Sequence, residues 1–296
     1  MTPADKISLR QYGHHPRDWR ENHYVYPVIS RRSGGLSIGI NLNPDMACNF
    51  DCIYCQVDRT VAPRVREVDV NRLGEELEGM IASAQSGALF DDPAFNDVPA
   101  DRRTICDIAF SGDGEPTTCK FFREAVGLVV SAKRNFGLDD AKIVLITDAC
   151  YLTKHDVAAG LGLMDENNGE IWAKLDAGTE EYYRTVNRPN YPLRHVMENI
   201  IAVARDRPVV IQSLFMRIDC QGPDDAELDA YVERLKEILR AGGRIKHVQV
   251  YTIARRPPQP NVTALSDAEV DHIRDLVLAR TGLDAESYYG TAWSPD

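Results

Sequence analysis

Six short runs of aliphatic and β-branched residues alternate with stretches whose apolar positions recur at helical spacing, and this alternation limits what the 296-residue chain can fold into. The runs fall at 36–42, 104–110, 142–147, 170–176, 209–218 and 245–253, and the helical stretches at 71–84, 118–134, 153–161, 192–205, 225–240 and 266–280. Asp224 with Glu227, and Ser266 with Glu269, have the spacing in which an N-cap side chain and a glutamate satisfy each other's backbone donors. Gly242 and Gly282 stand where helices should stop. Alternation of this kind predicts parallel strands joined by helical crossovers, in an α/β fold that is either an open doubly wound sheet or part of a barrel. Both put ligand chemistry at the carboxyl ends of the strands. The segment 86–103, rich in Asp, Gly and Pro, interrupts the pattern and reads as an excursion or surface loop. The expected division is an N-terminal extension (1–35), a barrel-like domain (36–282) and a C-terminal tail (283–296).

No apolar run approaches the ~20 residues that span a bilayer, and the polar start lacks the apolar centre of a secretory signal, so a cytoplasmic, membrane-free protein is expected. A net charge of -11 argues against a general electrostatic grip on nucleic acid. Local basic groups are present at Lys6, Arg10, Arg17, Arg20, Arg31, Arg32, Arg255 and Arg256, either as solvated surface or as a groove for RNA.

In a reducing compartment thiols serve as metal ligands, reactive groups or small buried hydrophobes. Cys106, Cys119, Cys150 and Cys220 are scattered singly and read as core filler, whereas Cys48, Cys52 and Cys55 lie together just after the first strand run. A structural zinc ion wants four ligands, and no fourth Cys or His is near in sequence. An electron-transfer ferredoxin also fills every position with cysteine. Three thiolates on a short loop suit an iron-sulfur cluster with one iron left open to a substrate or cofactor.

Other strand ends carry polar groups. After the second run, "SGDGEPT" offers Gly112 and Gly114 for close backbone approach to a ligand, and the Glu115 carboxylate for a ligand ammonium. "EIWAKLDAG" alternates, with Ile171, Ala173 and Leu175 on a face for helices and Trp172, Lys174 and Asp176 on a face for the barrel interior. Lys174 there needs either Asp176 as an ion-pair partner or a ligand. Gln212 and Ser213 interrupt an apolar strand, Tyr251 lies late in the sixth, and Thr147, Asp148 and Cys150 follow the third.

"CNFDCIYC", with Tyr54 before its last cysteine, resembles the signature of the radical S-adenosylmethionine (SAM) superfamily. "YPVISRRSGGLSIGINLNPDMACNFDCIYCQVDRT", "FSGDGEPT", "VLITDACYLT", "KLDAGTEEYYRTVNRP" and "VQVYTIARRPP", in that order over residues 24 to about 258, resemble the branch that holds the wybutosine-type tRNA-modifying enzymes. The resemblance implies a partial (β/α)6 TIM-like barrel and a [4Fe-4S] cluster on Cys48, Cys52 and Cys55. SAM would bind the open iron and be cleaved to methionine and a 5'-deoxyadenosyl radical, which abstracts hydrogen from the substrate. Gly114, Glu115 and Pro116 match the motif for the SAM amino group; Tyr54, Thr147, Lys174, Asp176, Gln212, Ser213 and Tyr251 are further implied SAM contacts. Lys174 and Cys150 are candidates for catalysis, Cys150 as a hydrogen-atom donor or acceptor and otherwise as a buried thiol. Three departures stand out: Asp148 where relatives commonly carry Asn, no cysteine before Cys48, and no flavodoxin-like domain. The reductant is therefore expected to be a separate flavodoxin- or ferredoxin-type protein. The substrate is expected to be a small molecule or peptide, with tRNA base modification and a zinc-stabilised binding protein as the alternatives.

Overall fold

The chain order runs β1 (Val25–Ile29), β2 (Leu36–Ile40), α1 (Val70–Ser86), β3 (Ile105–Phe110), α2 (Phe122–Asn135), β4 (Lys142–Thr147), α3 (His155–Asp165) and β5 (Gly169–Lys174). It continues through α4 (Glu180–Asn187), α5 (Leu193–Asp206), β6 (Val209–Leu214), β7 (Met216–Ile218), α6 (Asp225–Arg240), β8 (Ile245–Tyr251), β9 (Val262–Ala264), α7 (Asp267–Thr281) and β10 (Ala285–Tyr288). This computed structural model describes Leu9, Gln11 and residues 19–290; Lys6, Arg10 and Arg17 lie outside them.

One eight-stranded sheet has the order β1-β2-β3-β4-β5-β6-β8-β10, and each pairing in it is parallel except that of β1 with β2. The two edge strands do not pair with each other, so the architecture is a partial barrel, as expected. Each of the six expected runs contains a strand. The sheet nevertheless extends past 36–282 on both sides, because β1 and β10 join it. The run 209–218 does not stay in one sheet: after Leu214 the chain leaves, and β7 pairs antiparallel with β9. The segment 86–103 is packed rather than a surface loop, since Leu89, Phe90, Phe95 and Val98 are buried in the main core.

That core lies between the outer face of the sheet and the helices. Ile38, Ile40, Ile108, Phe110, Ile143, Leu145, Ile171, Ala173, Ile211, Val248 and Val250 supply the sheet side, and α1, α2 and α5 close over it with residues such as Leu73, Val126 and Ile200. Each fully buried Leu or Ile contributes about 1.5–3 kcal/mol, so the outer face fixes the register. The opposite residues face inward, where Ala109, Val144, Trp172 and Val210 form a small apolar layer of their own.

Below this layer, at the amino ends of the strands, charges pair across the interior. Glu170 accepts from Lys246 at 2.5 Å, from Lys142 at 3.2 Å and from the Trp172 indole at 2.8 Å. Asp107 accepts from Ser37. Among the described residues, no helix is long and apolar enough to cross a membrane.

The capping box at Ser266 and Glu269 forms with both bonds. At Asp224 only half of it does. Asp224 caps the Glu227 backbone N–H at 2.8 Å, but the Glu227 carboxylate turns away to accept from Gly178 N at 2.5 Å, Thr179 N at 3.1 Å and Thr179 Oγ1 at 2.6 Å. Three donors at a buried turn outbid one exposed backbone donor. Glu227 thereby fixes the turn that starts α4.

Candidate active site

Cys48, Cys52 and Cys55 sit on the loop that follows β2, at the carboxyl ends of the parallel strands. The loop runs alongside the end of α4, held by Asp51 N to Asn187 O (3.0 Å), Ile53 N to Val186 O (3.0 Å) and Asn190 N to Asn49 O (2.9 Å). Ile53 anchors it from within, packing with Val186, Leu214, Met216, Ile253 and Val262 in a second small core under β7 and β9. Cys48 and Cys52 are half-buried against the main core. Burial, then the Asp148 charge, pushes the Cys48 thiol well above the usual range. Burial pushes Cys52 up to about 12, with Lys174, Tyr54 and Asn187 opposing it and Asp176 adding to it.

The donors that reach these sulfurs include N–H groups. Asn187 Nδ2 lies 3.4 Å from Cys52 Sγ, and Arg59 Nη1 lies 3.8 Å from Cys55 Sγ. An all-sulfur set with N–H donors aimed at it suits an iron-sulfur cluster. Among the described residues, no three His, Cys, Asp or Glu are gathered tightly enough to hold one metal ion.

The loop 111–118 after β3 interlocks with the cysteine loop. Asn41 Oδ1 accepts from Asp113 N (3.1 Å) and Asn43 N (3.1 Å), Asn43 Nδ2 donates to Thr118 Oγ1 (2.7 Å), and Glu115 N donates to Ala47 O (2.9 Å). The close approach that Gly112 and Gly114 permit includes one to this loop. A Cβ on Gly114 would stand 2.0 Å from Ala47 O, and one on Gly112 2.4 Å from Asn41 Oδ1. Pro116 opens the short buried turn that follows.

Glu115 is 2% exposed and its carboxylate is held from within. Oε1 accepts from Thr117 N (3.1 Å), Thr117 Oγ1 (2.5 Å) and Thr147 Oγ1 (2.7 Å), while Oε2 accepts from Asp148 N (2.7 Å). Three donors crowd Oε1, while Oε2, with one, keeps a lone pair of the kind the expected ammonium contact needs. A second acceptor belongs to Asp148. Its Oδ1 accepts from Cys150 N (2.9 Å) and Asn49 Nδ2 (3.3 Å), and its buried Oδ2 has no hydrogen-bond partner among the described residues. The turn that aims Asp148 passes through Ala149 at φ 65°, a left-handed conformation costly for a residue with a Cβ.

Burial, then the neighbouring Asp148 charge, pushes Glu115 up to about 8, and burial raises Asp148 as well. The pair retains a proton that unfolded carboxylates, near 4.5 for Glu, have released. The stability due to that proton is complete below the unfolded value and is lost as pH rises through about 8. Between about pH 5 and pH 8.5 the unliganded chain should lose roughly 3 kcal/mol from this source in urea unfolding, and Glu115→Gln should flatten the slope. Parallel pH profiles for the two proteins would contradict the assignment.

Across the mouth, Lys174 and Asp176 form the ion pair (3.4 Å), with Asp176 fully buried. Asp176 Oδ2 accepts from Asn187 Nδ2 (2.8 Å) and from the Tyr54 hydroxyl, and Oδ1 from Leu214 N (2.9 Å). Burial works against the Lys174 ammonium, but Asp176, Tyr251 and Cys52 together outweigh it and hold its pKa above the usual range. Lys174 Nζ donates to Tyr251 OH (2.9 Å), Tyr251 OH to Gln212 Oε1 (3.3 Å), and Gln212 Nε2 to Gln249 Oε1 (3.0 Å). The guanidinium of Arg32 lies 5.3 Å from both the Trp172 and the Tyr251 ring centroids. Tyr54, Lys174, Asp176, Gln212 and Tyr251 are thus brought together.

Ser213 is not among them: the pleat turns it outward, where its hydroxyl meets Tyr231 of α6 at 2.7 Å. Thr147 is consumed by the Glu115 turn, accepting from Ala149 N at 3.0 Å. Cys150 is 2% exposed within the main core, and burial, then Asp148, keeps its thiol protonated, so the buried-thiol alternative describes it. The sequence does not single out Asn41, Asn43 and Asn187, and it marks Asp148 only as a strand-end departure from relatives. For Asp148, a carboxylate at a strand end beside another acidic strand end was a usable signal.

No family model matches the chain. Over 265 residues, 88% of this chain, it is 23% identical to 34% of a protein named GTPase Obg from Brachyspira hyodysenteriae. Over 184 residues, 60% of this chain, it is 29% identical to 48% of the UPF0026 protein MJ1312 from Methanocaldococcus jannaschii. The chain thus spans less than half the length of these curated relatives, and it contains no Gly-x4-Gly-Lys-Ser/Thr loop for a nucleotide triphosphate. Among solved structures, that of Streptococcus suis SuiB bound to S-adenosylmethionine superposes with a TM-score of 0.57 at 10% identity, over 88% of this chain and 52% of SuiB. SuiB has also been solved bound to its precursor peptide SuiA. At this identity the likeness is one of fold.

Proposed function

We propose, from the radical SAM fold that this chain has, that it is a single-cluster enzyme that cleaves S-adenosylmethionine reductively and acts on an organic substrate. The observation that carries this reading is the placing of three cysteines, with N–H donors at two of their sulfurs, beside an unpartnered buried carboxylate oxygen at the carboxyl ends of a parallel barrel. Cys48, Cys52 and Cys55 would hold the [4Fe-4S] cluster. When bound, it supplies one electron to the sulfonium, giving methionine and a 5'-deoxyadenosyl radical that removes hydrogen from the substrate.

The chain's own part is binding and orientation. Asp148 Oδ2 is the acceptor for the methionine ammonium, with Glu115 holding the Asp148 backbone in place. The Lys174–Tyr251–Gln212–Gln249 series offers donors and acceptors to the carboxylate, ribose and adenine. The second small core beneath β7 and β9 keeps water from the Ile53 side of the cysteine loop. The electron comes from a separate flavodoxin- or ferredoxin-type protein. A small molecule or a peptide is the favoured substrate class, on the net charge of -11. RNA is the second reading, and a steep salt dependence of tRNA binding would favour it.

Anaerobic reconstitution should give about four irons per chain, and dithionite with SAM should release 5'-deoxyadenosine. A reconstituted protein that holds zinc alone, or that leaves SAM intact, would remove the proposal.

A further inference from the structure

The side chain of Asn187 is used in an unusual way. It is 1% exposed at the last position of α4, and Nδ2 faces two acceptors at once, Cys52 Sγ at 3.4 Å and Asp176 Oδ2 at 2.8 Å. Both amide hydrogens are thereby committed, while Oδ1 is buried with no partner among the described residues. Turning the amide over would set its oxygen against the Asp176 carboxylate, so the donor orientation is the one the site enforces. Asp176 in turn is fixed by Leu214 N, Tyr54 and Lys174, which leaves the amide little freedom to drift from the sulfur. The bracing of the cysteine loop does not need this side chain. It is done by the main-chain carbonyls of Val186 and Asn187.

Leaving a buried amide oxygen unsatisfied is costly, so the contact with sulfur accompanies a sacrifice of stability. A hydrogen bond to a cluster sulfur favours the reduced, more negative state and raises the reduction potential. We propose that Asn187 is a positioning residue that sets the reduction potential of the iron-sulfur site through the amide hydrogen it gives to Cys52. The inference rests on the function proposed above. It adds that the same amide ties the cluster ligand to the Asp176–Lys174 pair, where the nucleotide would lie.

Two variants separate this from a structural role. Asn187→Leu removes both donors while filling the space, and Asn187→Ala removes them without adding bulk. Val186→Ala, one residue away and fully buried beside Ile53, loosens the same helix end without touching a donor. Each protein is reconstituted, its iron counted, and its midpoint potential measured by dye-mediated titration followed by electron paramagnetic resonance. Asn187→Leu and Asn187→Ala should both carry about four irons and shift to more negative potential, with Val186→Ala at the wild-type value. Equal potentials in wild type and both Asn187 variants, or an equal shift in Val186→Ala, would overturn the assignment while leaving the cluster in place. A wild-type protein that takes up no iron would instead end the functional reading on which it rests.

Discussion

Serine at position 48, 52 or 55, one at a time, is expected to leave a folded chain that no longer releases 5'-deoxyadenosine. The loss should exceed ~100-fold, the upper range for removing a group that only supports a metal ligand. A serine oxygen is a hard donor that keeps its proton at neutral pH, and three thiolates are already one fewer than a closed cluster site uses. The fold should survive because the loop is held by the backbone bonds to Val186, Asn187 and Asn190 and by Ile53, none of which involves sulfur. Unfolding free energies measured without metal should stay within about 1 kcal/mol of wild type. Cys220→Ser is the control, since Cys220 is exposed and no part of the site, and it should retain full activity. Activity persisting in any of the three serine variants would separate the chemistry from the cysteine loop.

The second large effect concerns Asp176. Asp176→Ala withdraws the acceptor from Leu214 N, Asn187 Nδ2 and Tyr54 OH at once and strands the Lys174 ammonium in a buried position. Breaking a buried pair by removing one partner costs about 3–5 kcal/mol, mainly through the charge left behind. A clear fall in the urea midpoint is expected. Adding Lys174→Met to the same protein should recover a substantial part of it, because the stranded charge goes too. If Asp176→Ala unfolds at the wild-type midpoint, or the second substitution makes matters worse, the ion pair is not what holds the barrel mouth.

How much of this was legible in the sequence depended on whether a feature is local. The six inner strands and six of the helices are stretches whose own periodicity states which face is buried, and 225–240 coincides with α6. β1 escaped because Pro27 breaks the expected pattern. Pro27 is tolerated there because β1 is an edge strand, so its missing N–H removes no bond on the outer side. α4 escaped because it is eight residues long and buries little besides Tyr183, Val186 and Asn187. β7, β9 and β10 are three or four residues each and are strands only by virtue of their neighbours.

The site divides in the same manner. The cysteine spacing and the alternation of Trp172, Lys174 and Asp176 are written in adjacent residues. How the Glu115 carboxylate is held depends on Thr147 meeting it across 32 positions, and the sulfur contact of Asn187 spans 135. Such partnerships come from tertiary structure, and no local pattern encodes them.

The pairing of Glu170 with Lys142 and Lys246 stoppers the barrel from beneath, across three strands. The sulfurs lie at the opposite, carboxyl end of the strands. Under the proposed function, a partner too large to enter at that end would present only what protrudes from it, a side chain in a bend of peptide or a base swung out of its stack, while its bulk rested outside against the rim.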